Sequence, residues 1–217
     1  MILDWTAIPI AYLLGAIPFG LFIPRLFGIS DIRKQGSGNT GATNVYRIAG
    51  PIPAIIVLVG DIGKGVLAVV IASQLASGWI DAEYLKLTSG MSAVVGHMYP
   101  IYVRFKGGKG VNTALGVMLT LIPIQALIAL VVFILTVSVS RFISLGSILA
   151  SLALVAGVAV FSQANLQNIH PVYLPATAIL SLLIIFAHRS NIRRLLKGNE
   201  NKFSFSSGNK KGVKNHV

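Results

Sequence analysis

Three short segments hold most of the residues able to do chemistry. The first, Asp31–Arg47 (DIRKQGSGNTGATNVYR), gathers three Gly, two Asn, one Ser, two Thr and three cations. Glycine lets successive backbone N–H groups converge, hydroxyls and amides add neutral donors, and Arg and Lys supply charge, a combination suited to phosphate. A flexible polar connector is the plain alternative. The second, Arg104–Gly116 (RFKGGKGVNTALG), sets a Gly-Gly-Lys-Gly turn directly before an apolar helix whose first turn bears Asn112 and Thr113. A helix start preceded by Gly and flanked by Lys suits an anion, although a charged turn between helices has the same composition. It is not a Walker loop, because Val103 stands where that motif needs Gly and Gly110 where it needs Ser or Thr.

The third segment, Ala187–Glu200 (AHRSNIRRLLKGNE), puts His188, Asn191 and Leu195 on one helical face, with Arg193 and Arg194 turned aside. A His and an Asn one turn apart can together orient and deprotonate a hydroxyl; an interfacial anchor is the alternative. Glu200 is the single acid of this tail, and its cationic surroundings make it a partner for Arg or Lys rather than a base. Asp61 and Lys64 stand at helical spacing inside an apolar stretch and are expected to form a structural or substrate-proximal salt bridge. His97 and His170 have no carboxylate at metal-ligand spacing, so both are read as interfacial, and neither metal nor cofactor is expected.

These segments need elements to hold them, and composition says which kind. Of 217 residues, 54% are hydrophobic and 11% charged, far below the quarter or so of charged residues in soluble domains. The chain is therefore expected to be all-α, a polytopic helix bundle in a membrane. Apolar stretches long enough to span are Trp5–Pro24, Pro51–Ser77, Leu85–Val103, Phe142–Ser162 and Val172–Ala187. The first lacks a basic n-region and is read as a retained helix, not a signal peptide. Between Gly110 and Ser140, Pro123 should break a run too long for one helix.

Positive charge gives direction. Arg25–Arg47 holds four basic residues, Arg104–Lys109 three and Arg189–Lys214 eight, whereas Gln163–His170 holds none. Lys and Arg collect on the cytoplasmic side, so all the rich loops fall there only if the N-terminus is outside and the number of spans odd. Seven transmembrane helices, some short or re-entrant, meet that condition with the C-terminus cytoplasmic; five plus a re-entrant hairpin is the alternative. Residues 1–200 then form one membrane domain and 201–217 a basic, disordered tail. A net charge of +12 is compatible with an anionic bilayer or substrate, and the tail's charges are accounted for by orientation without nucleic acid. Absence of Cys excludes disulfides and thiolate nucleophiles.

SGNTGATNVYR, GGKG and HRSNIRRLLKGNE, in that order, closely resemble the signature segments of the bacterial acyl-phosphate-dependent glycerol-3-phosphate acyltransferases, the PlsY family. The resemblance extends over nearly the whole chain as far as Glu200. It implies a seven-helix enzyme of the bacterial cytoplasmic (inner) membrane, active at the cytoplasmic face. That enzyme moves a fatty acyl group from acyl phosphate to the 1-hydroxyl of glycerol 3-phosphate and yields lysophosphatidate for phospholipid synthesis. An acyl-phosphate-producing enzyme would act upstream. The HxxxxD pattern of other acyltransferases is absent: Tyr102, Pro175 and Arg193 stand five residues after His97, His170 and His188.

By the same resemblance, Ser37, His188 and Asn191 are expected to be catalytic. Gly38, Asn39, Gly41, Thr43, Asn44, Arg47, Gly107, Gly108 and Lys109 are expected to bind substrate, with Glu200 as a brace. A transporter or exchanger for an organic phosphate is the rival reading, disfavoured by the lack of an inverted repeat.

Overall fold

The computed structural model describes residues 2–204, and among these there are helices and turns but no strand. The chain opens with α1 (Ile2–Gly15) and α2 (Phe19–Leu26). Pro18 separates them, so the single helix expected over Trp5–Pro24 is broken, because proline removes a helical donor and clashes with the preceding turn. The first polar segment folds as a short 3-10 turn, Ile32–Lys34, followed by α3 (Ala42–Ala49). Gly50 (φ +86°) then turns the chain into α4 (Pro51–Leu75), whose first-turn proline lacks only a donor that would be orphaned anyway.

Asp81 caps α5 (Ala82–Met98) by accepting from the N–H groups of Glu83 at 2.9 Å and Tyr84 at 3.3 Å. α6 (Val111–Leu121) starts after Gly110 and ends at Ile122, one residue before α7 (Pro123–Ser140). The break expected at Pro123 is there. α8 (Ile143–Gln163) and α9 (Tyr173–Ala187) follow, and α9 bends by 61° into α10 (Arg189–Leu196).

By length and composition four stretches can cross a membrane: Leu3–Leu26, α4, α7 and α8, with the bent pair α9 and α10 as a fifth. α6 has 11 residues, about 16 Å of helix, roughly half a hydrocarbon core. α5, with 17 residues, is charged at its start and lined with Ser and Gly. Large apolar side chains such as Leu67, Val139, Leu152, Ile179 and Leu182 are exposed along these helices, as a lipid-facing surface requires.

α1 lies against α4 and α5, α4 against α6, α7 against α8 and α8 against α9. Small residues permit this. A side chain on Gly65 would run into the Thr113 carbonyl, one on Gly116 into that of Ile62, and one on Gly96 into that of Tyr12. Helices that lack a hydrophobic drive to associate in lipid gain from such close backbone approach. The interior core runs through Val69, Val94, Val117, Met118, Leu154, Val158, Leu180 and Ile184.

Candidate active site

Asn44 organises the first segment. It is buried, accepts at Oδ1 from the Ser37 N–H at 2.8 Å, and donates from Nδ2 to the carbonyls of Asn39 at 2.9 Å and Gln35 at 3.1 Å. Asn39 Oδ1 takes the Gly41 N–H at 2.8 Å. One amide thus closes the loop from both ends and, among the described residues, leaves the hydroxyls of Ser37 and Thr43 without an internal hydrogen bond. Gly36 and Gly38 have φ of +59° and +72°, a conformation costly for other residues.

The second segment follows the end of α5. Gly107 N–H donates to the Met98 carbonyl at 3.2 Å and Gly108 N–H to that of His97 at 3.1 Å, so the turn is stitched to the helix it leaves. Lys109 then reaches across to donate to Asn191 Oδ1 of α10. The third segment ends on Glu200, whose side chain is 5% exposed. It accepts from Asn191 Nδ2 at 2.6 Å, Arg194 Nε at 2.7 Å and Ser144 Oγ at 2.9 Å. Glu200 therefore ties the starts of α8 and α10 together and turns the Asn191 amide so that its oxygen faces Lys109.

Residues 199–204 continue over the same surface. Arg47 donates to the Asn201 carbonyl at 3.4 Å, Phe203 N–H to that of Arg141 at 2.7 Å, and the Phe203 ring lies 5.2 Å from that of Tyr46. The start of the segment expected as a tail is thus docked; residues 205–217 lie outside the described residues.

Most of these groups border one cavity of about 750 Å³, within the usual range for ligand sites. Ser37, Gly38, Asn39, Gly41, Thr43, Asn44, Arg47, Lys109, His188, Asn191 and Glu200 all line it. Gly107 and Gly108 do not; they stand behind Lys109, packed on His97 and Pro100. Deeper, the wall is apolar: Leu58, Met118, Ala129, Phe133, Leu154 and Leu180. Along α8 the lining runs from Ser144 to Leu154, about 15 Å at the helical rise. The site is a polar, cationic mouth above an apolar shaft.

Charge is in surplus at the mouth. Arg47, Lys109 and Arg194 gather around Glu200, while the other lining carboxylate, Asp61, is paired with Lys64. Burial pushes Lys109 down to about 8, with Glu200 opposing and Arg194 and Arg47 adding to the fall. Burial would raise Glu200, but hydrogen bonds from Asn191, Arg194 and Ser144 outweigh it and hold the carboxylate below its ordinary value. His188, just past the end of α9, is pushed down to about 4 by burial and by Lys109 beside it. Its Nδ1 lies 2.8 Å from the Ile184 carbonyl. A carbonyl can only accept, so Nδ1 carries the proton and Nε2 is the ring's acceptor.

Residues 5–198 match the glycerol-3-phosphate acyltransferase family. The chain belongs to that family. The glycerol-3-phosphate acyltransferase of Syntrophotalea carbinolica is 47% identical over 193 residues, covering 89% of this chain and 94% of that protein. The one from Halalkalibacterium halodurans is 43% identical over 205 residues, covering 93% and 96%. The crystal structure of PlsY, an integral membrane glycerol 3-phosphate acyltransferase, in its glycerol 3-phosphate form is 38% identical, with a TM-score of 0.82 over 93% of this chain and 96% of that one. Its lysophosphatidic acid form superposes with a TM-score of 0.81. Acyltransferases of this family are multi-pass membrane transferases, and the helical architecture above is theirs.

Three features of the site escaped sequence reasoning. Ser144 and Ser147 line the mouth at i, i+3 spacing just after Arg141, a signal hidden in an apolar stretch. Arg194, expected to turn aside, borders the cavity and holds Glu200. His97, read as interfacial, is buried between α4 and the Gly107–Gly108 turn; nothing in its neighbours in sequence reveals this.

Proposed function

We propose that the chain transfers a fatty acyl group from acyl phosphate to the 1-hydroxyl of sn-glycerol 3-phosphate, giving lysophosphatidate and inorganic phosphate. The observation that carries this is the cavity itself: Arg47, Lys109 and Arg194 gathered around the Glu200 carboxylate, opening into a largely apolar shaft. Each substrate brings a phosphate, and one brings an acyl chain. The relatives' glycerol 3-phosphate and lysophosphatidic acid forms agree with acceptor and product.

In this reading Ser37, Gly38, Asn39, Gly41, Thr43 and Arg47 hold phosphate and glycerol, Lys109 neutralises the second anion, and Glu200 with Asn44 keeps the wall in shape. The acceptor hydroxyl attacks the acyl carbonyl carbon, the C–O bond to phosphate breaks, and phosphate leaves with the bonding electrons. No covalent enzyme intermediate is needed, because the mixed anhydride is already activated. Holding both partners in register accounts for up to roughly 7–11 kcal/mol of barrier lowering. His188 and Asn191 orient the hydroxyl. The proton passes to His188 Nε2 or to a substrate phosphate oxygen.

The clustering of Lys and Arg in the mouth loops supports a cytoplasmic active site, with the N-terminus outside and seven spans in a bacterial inner membrane. α6 would supply a short crossing and α7 a full-length one, meeting at Pro123. An enzyme that phosphorylates or phosphorolytically releases acyl groups must then act upstream to furnish the donor.

The test is lysophosphatidate formation by purified protein from labelled glycerol 3-phosphate with palmitoyl phosphate, run beside palmitoyl-CoA and a Ser37→Ala variant. Product from the acyl phosphate only, reduced at least about a hundredfold in the variant, is expected. Binding of glycerol 3-phosphate without product from either donor would replace the enzyme by a carrier.

A further inference from the structure

We infer that Asp61, Lys64 and His97 form a buried positioning device that seats the Gly107–Gly108 turn and thereby fixes Lys109 at the cavity mouth; the inference rests on the acyl-transfer reading above. Asp61 and Lys64 lie on α4, 2.9 Å apart, each with a side chain only 2% exposed. Lys64 Nζ also lies 2.8 Å from His97 Nδ1 and donates to the Ile17 carbonyl at 3.1 Å. Asp61 faces Lys64 as an ion pair, its carboxylate oxygens accepting no hydrogen bond among the described residues; an ammonium has three protons and no lone pair, so the other two contacts of Lys64, with Ile17 and His97, are donations. They also make His97 Nδ1 an acceptor, which puts the imidazole proton on Nε2.

That Nε2 edge is turned toward Gly108, where a side chain would run into it. The Gly107 position is as tight: a side chain there would strike the His97 carbonyl. The turn can therefore pack this closely against the ring edge and the end of α5 only because both residues are Gly, and its N–H groups are spent on the Met98 and His97 carbonyls. Lys109 is the next residue, and its ammonium meets Asn191. A rigid path thus runs from the α4 ion pair through the His97 ring and the Gly108 backbone to the Lys109 ammonium.

Burying a charge pair inside an apolar helix bundle is costly, and apolar side chains of the same volume would fill the place at least as well. Its use is directional. Lys64 holds the imidazole against rotation, and a fixed imidazole holds the turn. Asp61 and His97 also border the main cavity, which places the device directly beneath the anion site it serves.

The test separates the Lys64 bond from the support of Gly108. In His97→Asn, the amide oxygen takes the place of Nδ1 for Lys64 while the outer half of the ring is gone. Gly108→Ala leaves the triad whole and crowds the same contact from the other side. Each single variant is expected to raise the KM of a phosphate substrate at least about tenfold, with kcat changed less than about threefold and the melting temperature kept. The double variant, in which the added methyl occupies the vacated space, is expected to recover most of the loss. Unchanged KM in Gly108→Ala, or a double variant no better than the worse single one, would overturn the inference, and both readings stand even if His97→Asn alone does not fold. Inactive wild-type protein would instead sink the acyl-transfer reading, so the two failures are distinguishable.

Discussion

Two clusters of charge lie near each other in this protein and are built on opposite principles. At the cavity mouth, Arg47, Lys109 and Arg194 gather around Glu200, and more positive charge than that carboxylate balances is left there. In the bundle, Asp61 and Lys64 balance each other, and Lys64 also donates to the Ile17 carbonyl and His97 Nδ1. An open surplus binds anions; a closed pair holds shape. Isolated cations would be intolerable in the bundle, and a balanced pair would be useless at the mouth.

The largest effect should come from Lys64→Met, which strands Asp61 as an unpaired buried charge. A loss of about 3–5 kcal/mol in stability is expected, read as a large fall in melting temperature in detergent. Lys109→Met should do the reverse. Activity falls by about a hundredfold or more while the melting temperature without substrate holds or rises, because the charged ammonium is held at a cost. Loss of stability in Lys109→Met together with full stability in Lys64→Met would break the contrast between the clusters.

pH separates them next. Lys109, lowered to about 8, loses its proton as pH rises through that value, so acyl phosphate, the anion Lys109 neutralises, should bind more weakly at pH 9 than at pH 7. Stability moves the other way. With the folded pKa below the unfolded value near 10.4, the unfolded chain binds more protons between about 8 and 10.4, and stability without substrate gains with pH across that window. Ligand-induced rise in melting temperature, measured from pH 7 to 9, should therefore shrink. The smallest effect is expected from Phe203→Ala, which removes a ring contact with Tyr46 worth about 0.5–1.5 kcal/mol. A two- to tenfold rise in KM without loss of kcat is the expected outcome; a fall in kcat alone would show that residues 199–204 do more than cover the site.

Much was legible before any coordinates. Low charge and long apolar runs determined an all-helical membrane chain, since only helices and closed barrels satisfy backbone polar groups in lipid and unbroken apolar runs of about 20 residues are the pattern of helices. Pro123 marked a helix break, and the three polar segments were recognisable because Gly, Asn, Ser and cations concentrate there against an apolar background. Asp61 and Lys64 were a visible pair, since residues three apart on a helix share a face.

The tertiary structure alone decided which distant residues meet. His97 stands in a sequence context with no acid near it, and only the packing of α5 on α4 brings it to Lys64. Ser144 joins Glu200 because α8 lies beside α10, and Gly108 faces His97 because its turn folds back onto the end of α5. Local composition determines helices, breaks and charge-rich loops because those depend on neighbours in the chain. The cavity depends on contacts between elements far apart in sequence, and no single segment encodes them.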